Sequence, residues 1–260
     1  MNRRHLLALV GVAVLALTAG CFGPGAISGE QLDQDPAEPY AWDTERDAHI
    51  TVQTDSSFRA VYNVSGTDGS IELFRRDGFG GRNPLNVRAL RYQYPNGTVL
   101  SGTELDARGG GVDRSRETVT VTFPEGAEGG KLAFTAGATP KRFSLPTFVD
   151  GSYEVVLPQN RRIDIPVFGT VSPRGYTTET IDSRTHIRWD EVTSRGITVQ
   201  YYLQRDIPIF GAIAAVSIVI GLGGAFYYKR QIDQLREVRE EMGLDVDVEE
   251  KDDGPPPGMR

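Results

Sequence analysis

The 260-residue chain carries a formal charge of -7, has a pI near 5.1 and sets only four lysines, Lys131, Lys141, Lys229 and Lys251, against many arginines. An acidic balance of this kind keeps a surface soluble in strong salt, as in a halophile, and it disfavours nucleic-acid binding. The single cysteine, Cys21, excludes a disulfide framework, so an exported domain has to rest on an ordinary core.

The chain opens with a positive segment, Arg3 and Arg4, followed by an uncharged apolar run from Leu6 to Ala19 that ends in Leu17-Thr18-Ala19-Gly20-Cys21. The run is too short for the ~20 apolar residues a membrane span needs and has the length of a secretory h-region. Small residues immediately before a cysteine mark the point where a lipoprotein is cut and acylated. Residues 1–20 are therefore expected to be a signal peptide and Cys21 the lipidation site; an uncleaved anchor with an incidental cysteine is the alternative. Thr18 stands where bacterial processing prefers leucine, a departure that an archaeal-type pathway tolerates better. The Arg3-Arg4 pair fits a twin-arginine export signal as well as the general secretory one.

Residues 21–40, rich in Gly, Pro, Asp and Gln, read as a disordered tether. From residue 41 to 205 the periodicity is that of strands. In Thr118-Val119-Thr120-Val121-Thr122-Phe123 apolar residues alternate with threonine, and Ile197, Val199, Tyr201 and Leu203 share one face. Further strands are expected over residues 49–53, 59–64, 71–74, 87–94, 131–134, 142–145, 153–157 and 185–189. Turn signals such as Pro95-Asn96-Gly97 and Pro173-Arg174-Gly175 separate them. Many short strands with no helical period between them predict a mainly β fold, an extracellular antiparallel β-sandwich of Ig-like type. Asp150-Gly151 marks a division between a β-rich region over residues 41–149 and a second over 150–206, either two domains or one.

The search for chemistry is mostly negative. His49 and His186 are the only histidines downstream of the signal segment, each inside a strand pattern with no Cys or His at ligand spacing, which predicts no metal site, no cofactor and no catalytic residues. Gly78-Phe79-Gly80-Gly81 and Gly109-Gly110-Gly111 lack the Lys-Ser/Thr and following helix of a phosphate cradle. Trp42 and Trp189 have the rings to stack on a sugar, although Trp189 alternates in register with Ile187 and so reads as core. Asn63-Val64-Ser65 and Asn96-Gly97-Thr98 are N-glycosylation acceptors; Asn96 lies in a turn and Asn63 late in a strand.

Residues 207–228 run for 22 positions without a charge, long enough to cross a bilayer. Phe226, Tyr227 and Tyr228 suit an interfacial belt, and Lys229, Arg230, Arg236 and Arg239 follow at once, which places the carboxyl end in the cytoplasm. Residues 229–260 then combine a helix, with Ile232, Leu235, Val238 and Met242 on one face, and an acidic, proline-bearing disordered tail. The helix is expected either to be solvated or to dock on a partner.

Leu17 to Cys21, Ser152-Tyr153-Glu154-Val155-Val156-Leu157-Pro158, Phe168-Gly169-Thr170-Val171-Ser172-Pro173, Ile187-Arg188-Trp189-Asp190, Tyr201-Tyr202-Leu203-Gln204-Arg205-Asp206 and the tail from Gln231 resemble a haloarchaeal family of membrane-anchored lipoproteins of unknown function. The resemblance implies an exterior domain with a carboxyl-terminal span and brings no catalytic residues. Three classes of function follow. The first is a non-enzymatic surface binding or envelope accessory module. The second is an accessory subunit that docks on a membrane protein partner through its span and tail, and the third is an extracellular hydrolase.

Overall fold

The computed structural model describes residues 25–126 and 129–243, which divide into a β-rich unit ending at Gln204 and a helical unit beginning at Arg205. The predicted signal peptide, Cys21 and the acidic tail after Gly243 lie outside the described residues.

In chain order the β-rich unit holds a short helix α1 (Gly29–Asp33), then β1 (Ala48–Val52), β2 (Ser57–Asn63), β3 (Ser70–Arg76), β4 (Arg82–Pro84), β5 (Arg88–Gln93), β6 (Val99–Ser101), β7 (Gly111–Arg114), β8 (Val119–Thr122) and β9 (Lys131–Gly137). It continues with β10 (Arg142–Pro146), β11 (Gly151–Val156), β12 (Arg161–Arg162), β13 (Thr170–Ser172), β14 (Thr177–Ile181), β15 (Arg184–Val192), β16 (Gly196–Gln200) and β17 (Tyr202–Leu203). Eight of these strands form one sheet in the order β14-β15-β11-β1-β2-β9-β5-β6. The strands β4-β3-β8-β7 form a second sheet, β10-β16-β13 a third and β12-β17 a fourth.

The alternation visible in the sequence becomes two faces. On β1, Ala48, Ile50 and Val52 point into the core while His49 and Thr51 lie on the opposite side. The inner face of the large sheet meets the smaller sheets around a cluster of aromatic rings. Phe58 packs edge-on against Phe134 at 6.1 Å and against Phe143 of β10 at 5.3 Å, and Tyr62 stacks on Phe134 at 5.9 Å. Ile71 and Leu73 of β3 and Val119 and Val121 of β8 close the same core. Each such side chain contributes about 1.5–3 kcal/mol through burial, the main favourable term in a chain that has no disulfide. Trp189 is 1% exposed and its indole N–H donates to the Pro173 carbonyl at 3.0 Å, which assigns it to the core and not to a sugar platform.

Four features depart from the sequence reading. The tether predicted over residues 21–40 does not hold for residues 25–40, which pack on the sheet. Ser28 caps α1, Leu32 is buried, and Arg91 donates to the carbonyls of Leu32, Asp33 and Gln34. Tyr40 is buried with Val61 and Ala133, with Trp42 packed against them, on the outer face of the large sheet, and its hydroxyl donates to the Ala89 carbonyl at 2.6 Å. A few well-placed apolar groups suffice here because backbone carbonyls, which composition does not register, supply the remaining contacts.

The division at Asp150-Gly151 is a bulge inside a continuous sheet. Beyond it β11 pairs on one side with β1 and on the other with β15, so strands from both predicted regions share one core. The β1–β11 pair is parallel, whereas every other strand pair among the described residues is antiparallel; a parallel neighbour needs a long crossover, and here about a hundred residues of chain supply it. Finally, the predicted strand over residues 197–203 breaks at Tyr201, whose N–H donates to the Lys141 carbonyl, and its last residues leave β16 to pair with β12.

The helical unit is one continuous helix, α2 (Asp206–Glu241), which contains the 22 uncharged residues of 207–228. At 1.5 Å per residue they extend about 33 Å, against a hydrocarbon core of about 30 Å. Pro208 lies in the first turn, where its missing N–H costs nothing. The apolar segment is long and apolar enough to cross a membrane, and none of its residues is buried within the helical unit.

Candidate functional site

Register brings together polar residues that are far apart in the chain. His49 of β1 lies opposite Glu154 of β11, and Glu154 lies opposite Arg188 of β15. His186 is two positions before Arg188 on the same face. The Glu154 carboxylate accepts from His49 Nδ1 at 2.9 Å on one oxygen, and from His186 Nδ1 at 3.0 Å and Arg188 Nε at 2.7 Å on the other. Arg188 reaches on to Glu179 of β14 at 2.6 Å, and the Thr51 hydroxyl lies 3.3 Å from His49 Nε2. Both imidazoles must carry a proton on Nδ1 to donate to the carboxylate, and His49 Nε2 then accepts from the Thr51 hydroxyl in the neutral ring or donates to it in the cation.

Sequence reasoning treated the two histidines as isolated, and by spacing they are. The signal that could have paired them is the repeated placement of polar residues on the outer face of strands whose other face is buried. What the cluster can do follows from its charge balance. Three donors, the His49 hydrogen bond foremost, outweigh desolvation and hold the Glu154 carboxyl well below the usual carboxylate range. A carboxylate held so firmly in its ionised form is a poor proton acceptor, whereas a general base works best with a pKa near the operating pH. The cluster is a clip that fastens β1, β11, β15 and β14 side by side. Among the described residues no group of His, Cys, Asp and Glu has the arrangement of a metal site.

A second constellation lies between sheets. A cleft of about 680 Å³ has the outward side of the β10–β16 pair as its floor, where Ser144 and Thr198 face each other and join hydroxyls at 2.9 Å. Arg142 and Arg195 stand on this pair, and Arg75 and Arg76 come from the end of β3. Arg75 is held in place by a hydrogen bond to the Gly137 carbonyl. The lining carboxylate, Asp77, is committed to its own turn, accepting from the N–H groups of Phe79 and Gly81 at 2.9 and 2.7 Å. At Gly196 the two strands approach closely, since a Cβ there would sit 2.9 Å from the Leu145 carbonyl oxygen.

Residues 44–247 match the profile of a family of unknown function, DUF5803. The chain belongs to this family. The match takes in the histidine–glutamate clip, the arginine-lined cleft, both sequons and the apolar segment of α2, while Cys21 precedes it. Comparison with curated proteins and with solved structures gives no match.

In this DUF5803 chain the two sequons occupy different surroundings. Asn96 is exposed at the tip of the turn between β5 and β6, with its side-chain oxygen accepting from Thr98 N–H at 3.0 Å. Asn63 ends β2 opposite Lys131, is half-buried, and its oxygen accepts from both the N–H and the hydroxyl of Ser65. If the β-rich unit is exposed to a glycosylation machinery, glycopeptide mass spectrometry is expected to find Asn96 occupied more fully than Asn63. Equal occupancy, or preference for Asn63, would show that local accessibility does not set the order.

Proposed function

We propose that this DUF5803 chain is a lipoprotein of a haloarchaeal type of cell surface, anchored by a lipid on Cys21 and by α2, whose β-rich unit faces outward as a non-enzymatic binding or envelope accessory module. The observation that carries the reading is the sequence of one β-rich unit followed by one helix long and apolar enough to cross a membrane. The acidic composition supports an exterior surface in strong salt. Cations follow the apolar run at Lys229, Arg230, Arg236 and Arg239, which supports a cytoplasmic carboxyl end. The low basicity of the Glu154 cluster supports binding over hydrolysis.

A second reading has a specific observation behind it. Beyond the apolar segment α2 continues to Glu241 with Ile232, Leu235 and Val238 exposed, followed by exposed Met242, the pattern of an accessory subunit whose inner helix docks on a membrane protein partner.

Protease added to intact cells is the test. An epitope between residues 41 and 205 should be lost and one after Arg230 retained until the cells are permeabilised. A Cys21→Ser variant should keep an unprocessed amino end yet remain in the membrane through α2. Loss of the tail epitope from sealed cells would reverse the orientation and remove the exterior role with it.

A further inference from the structure

The cleft above the β10–β16 pair is lined by four arginines, Arg75, Arg76, Arg142 and Arg195, in a chain whose net charge is -7. None of the ion pairs among the described residues engages any of the four; Arg75 donates to the Gly137 carbonyl and Arg76 lies over the Phe74 ring at 5.6 Å. Four like charges set against a single lining carboxylate, Asp77, repel one another, and an acidic chain has carboxylates to spare for neutralising them. The lining carboxylate nevertheless points into its own turn. The arrangement therefore presents positive charge to something outside the chain.

From this geometry we infer that the cleft binds an oxyanion ligand, a phosphate- or sulfate-bearing group with more than one anionic centre. Planar guanidinium forks match such oxygens two at a time. The Ser144 and Thr198 hydroxyls on the floor, bonded to each other, leave one O–H to donate to a ligand. At about 680 Å³ the space exceeds what a single phosphate fills and suits a ligand that spans two or more groups. Phe79, next in sequence to the lining Gly78, is fully exposed and offers an apolar surface for the uncharged part of such a ligand. The inference rests on the β-rich unit being a binding module and names the chemistry it binds.

The test uses the full-length protein in nanodiscs of zwitterionic lipid and titrates inorganic pyrophosphate by calorimetry at fixed ionic strength. Saturable binding is expected, and Arg142→Ala combined with Arg195→Ala should weaken it by about tenfold or more. Arg142→Lys with Arg195→Lys keeps the charge, loses the fork and should fall between. Arg82→Ala, which breaks a pair with Glu72 outside the cleft, should leave affinity unchanged. Unaltered fluorescence of the buried Trp189 confirms that each variant is folded. Absence of saturable binding at millimolar pyrophosphate, or equal affinity in the double alanine variant, overturns the inference. Displacement of pyrophosphate by a soluble short-chain phosphatidylglycerol, at affinity no weaker than pyrophosphate itself, assigns the ligand to a lipid headgroup. Weaker displacement assigns it to a free or saccharide-borne oxyanion. Nanodiscs expose both sides of the membrane, so failure here leaves the topology standing, and a reversed topology leaves this binding standing.

Discussion

Replacing Glu154 by alanine should destabilise the β-rich unit by about 3 kcal/mol, the order expected when one partner is removed from a buried charged network. The loss has three parts: His49 and His186 each keep an N–H with no acceptor, and Arg188 retains only Glu179. Glu154→Gln should cost less, because its remaining oxygen still accepts from His186 and Arg188, and His49 can switch tautomer to accept from the new amide. The same network predicts a pH dependence with a definite sign. Glu154 binds its proton less readily when folded than when unfolded, where its pKa is ~4.3. Its contribution is therefore complete above the unfolded value and is lost as pH falls from there towards the lower folded value. Denaturant unfolding of the full-length protein, followed by Trp189 fluorescence at neutral and acidic pH, should show a loss of stability on acidification that is smaller in Glu154→Gln. Equal acid sensitivity in wild type and Glu154→Gln would mean that the clip is not what acid dissolves.

Gly151→Ala should be comparably damaging, at about 3 kcal/mol, for a reason that lies in the backbone. Gly151 has φ +124°, a conformation that side chains disfavour, and a Cβ there would stand 2.3 Å from Asp47 Oδ2. That carboxylate cannot simply move away, because it accepts from Ser152 N–H at 2.8 Å and from the Ser152 hydroxyl at 2.9 Å. The contact ties the entrance of β1 to the entrance of β11 and so sets the register of the parallel pair that brings His49 to Glu154. Asp47→Ala alone should cost about 1 kcal/mol through lost hydrogen bonds. In the double variant the clash disappears, so its destabilisation should fall short of the sum of the two single changes. Strict additivity in unfolding measurements would show that the damage at position 151 arises from φ alone.

The two polar constellations divide the work of the β-rich unit. Around Glu154 the charges are matched within the chain and spend their interaction on strand alignment. Around Ser144 and Thr198 the cations are left unmatched, and their interaction is available to a ligand.

Local pattern carried the identity of most elements. Period-two alternation in Val119 and Val121, in Ile50 and Val52, and in Ile187 and Trp189 predicted strands and named their buried faces, because a half-buried strand must segregate side chains by parity. The uncharged run of residues 207–228 determined, by length alone, a helix long and apolar enough to cross a membrane. The sequence could not decide pairing. Nothing local states that β1 lies beside β11 in parallel, since strand partners are chosen by global burial and by the crossover that the rest of the chain provides. From strand pairing came what spacing missed: Glu154 between two histidines, a continuous sheet through Gly151, and four arginines, two at the end of β3, one on β10 and one just before β16, around one cleft. The short strands β4, β6, β7, β12, β13 and β14 were illegible for a related reason. Their residues are largely exposed, so they carry little hydrophobic alternation and are held by hydrogen bonds to a neighbour. Residues 25–40 misled in the opposite direction: their composition is that of a tether, yet Leu32, Tyr40 and the carbonyls bound by Arg91 fasten them to the sheet. Composition measures how much apolar surface a segment has, and only the tertiary structure decides where that little surface is placed.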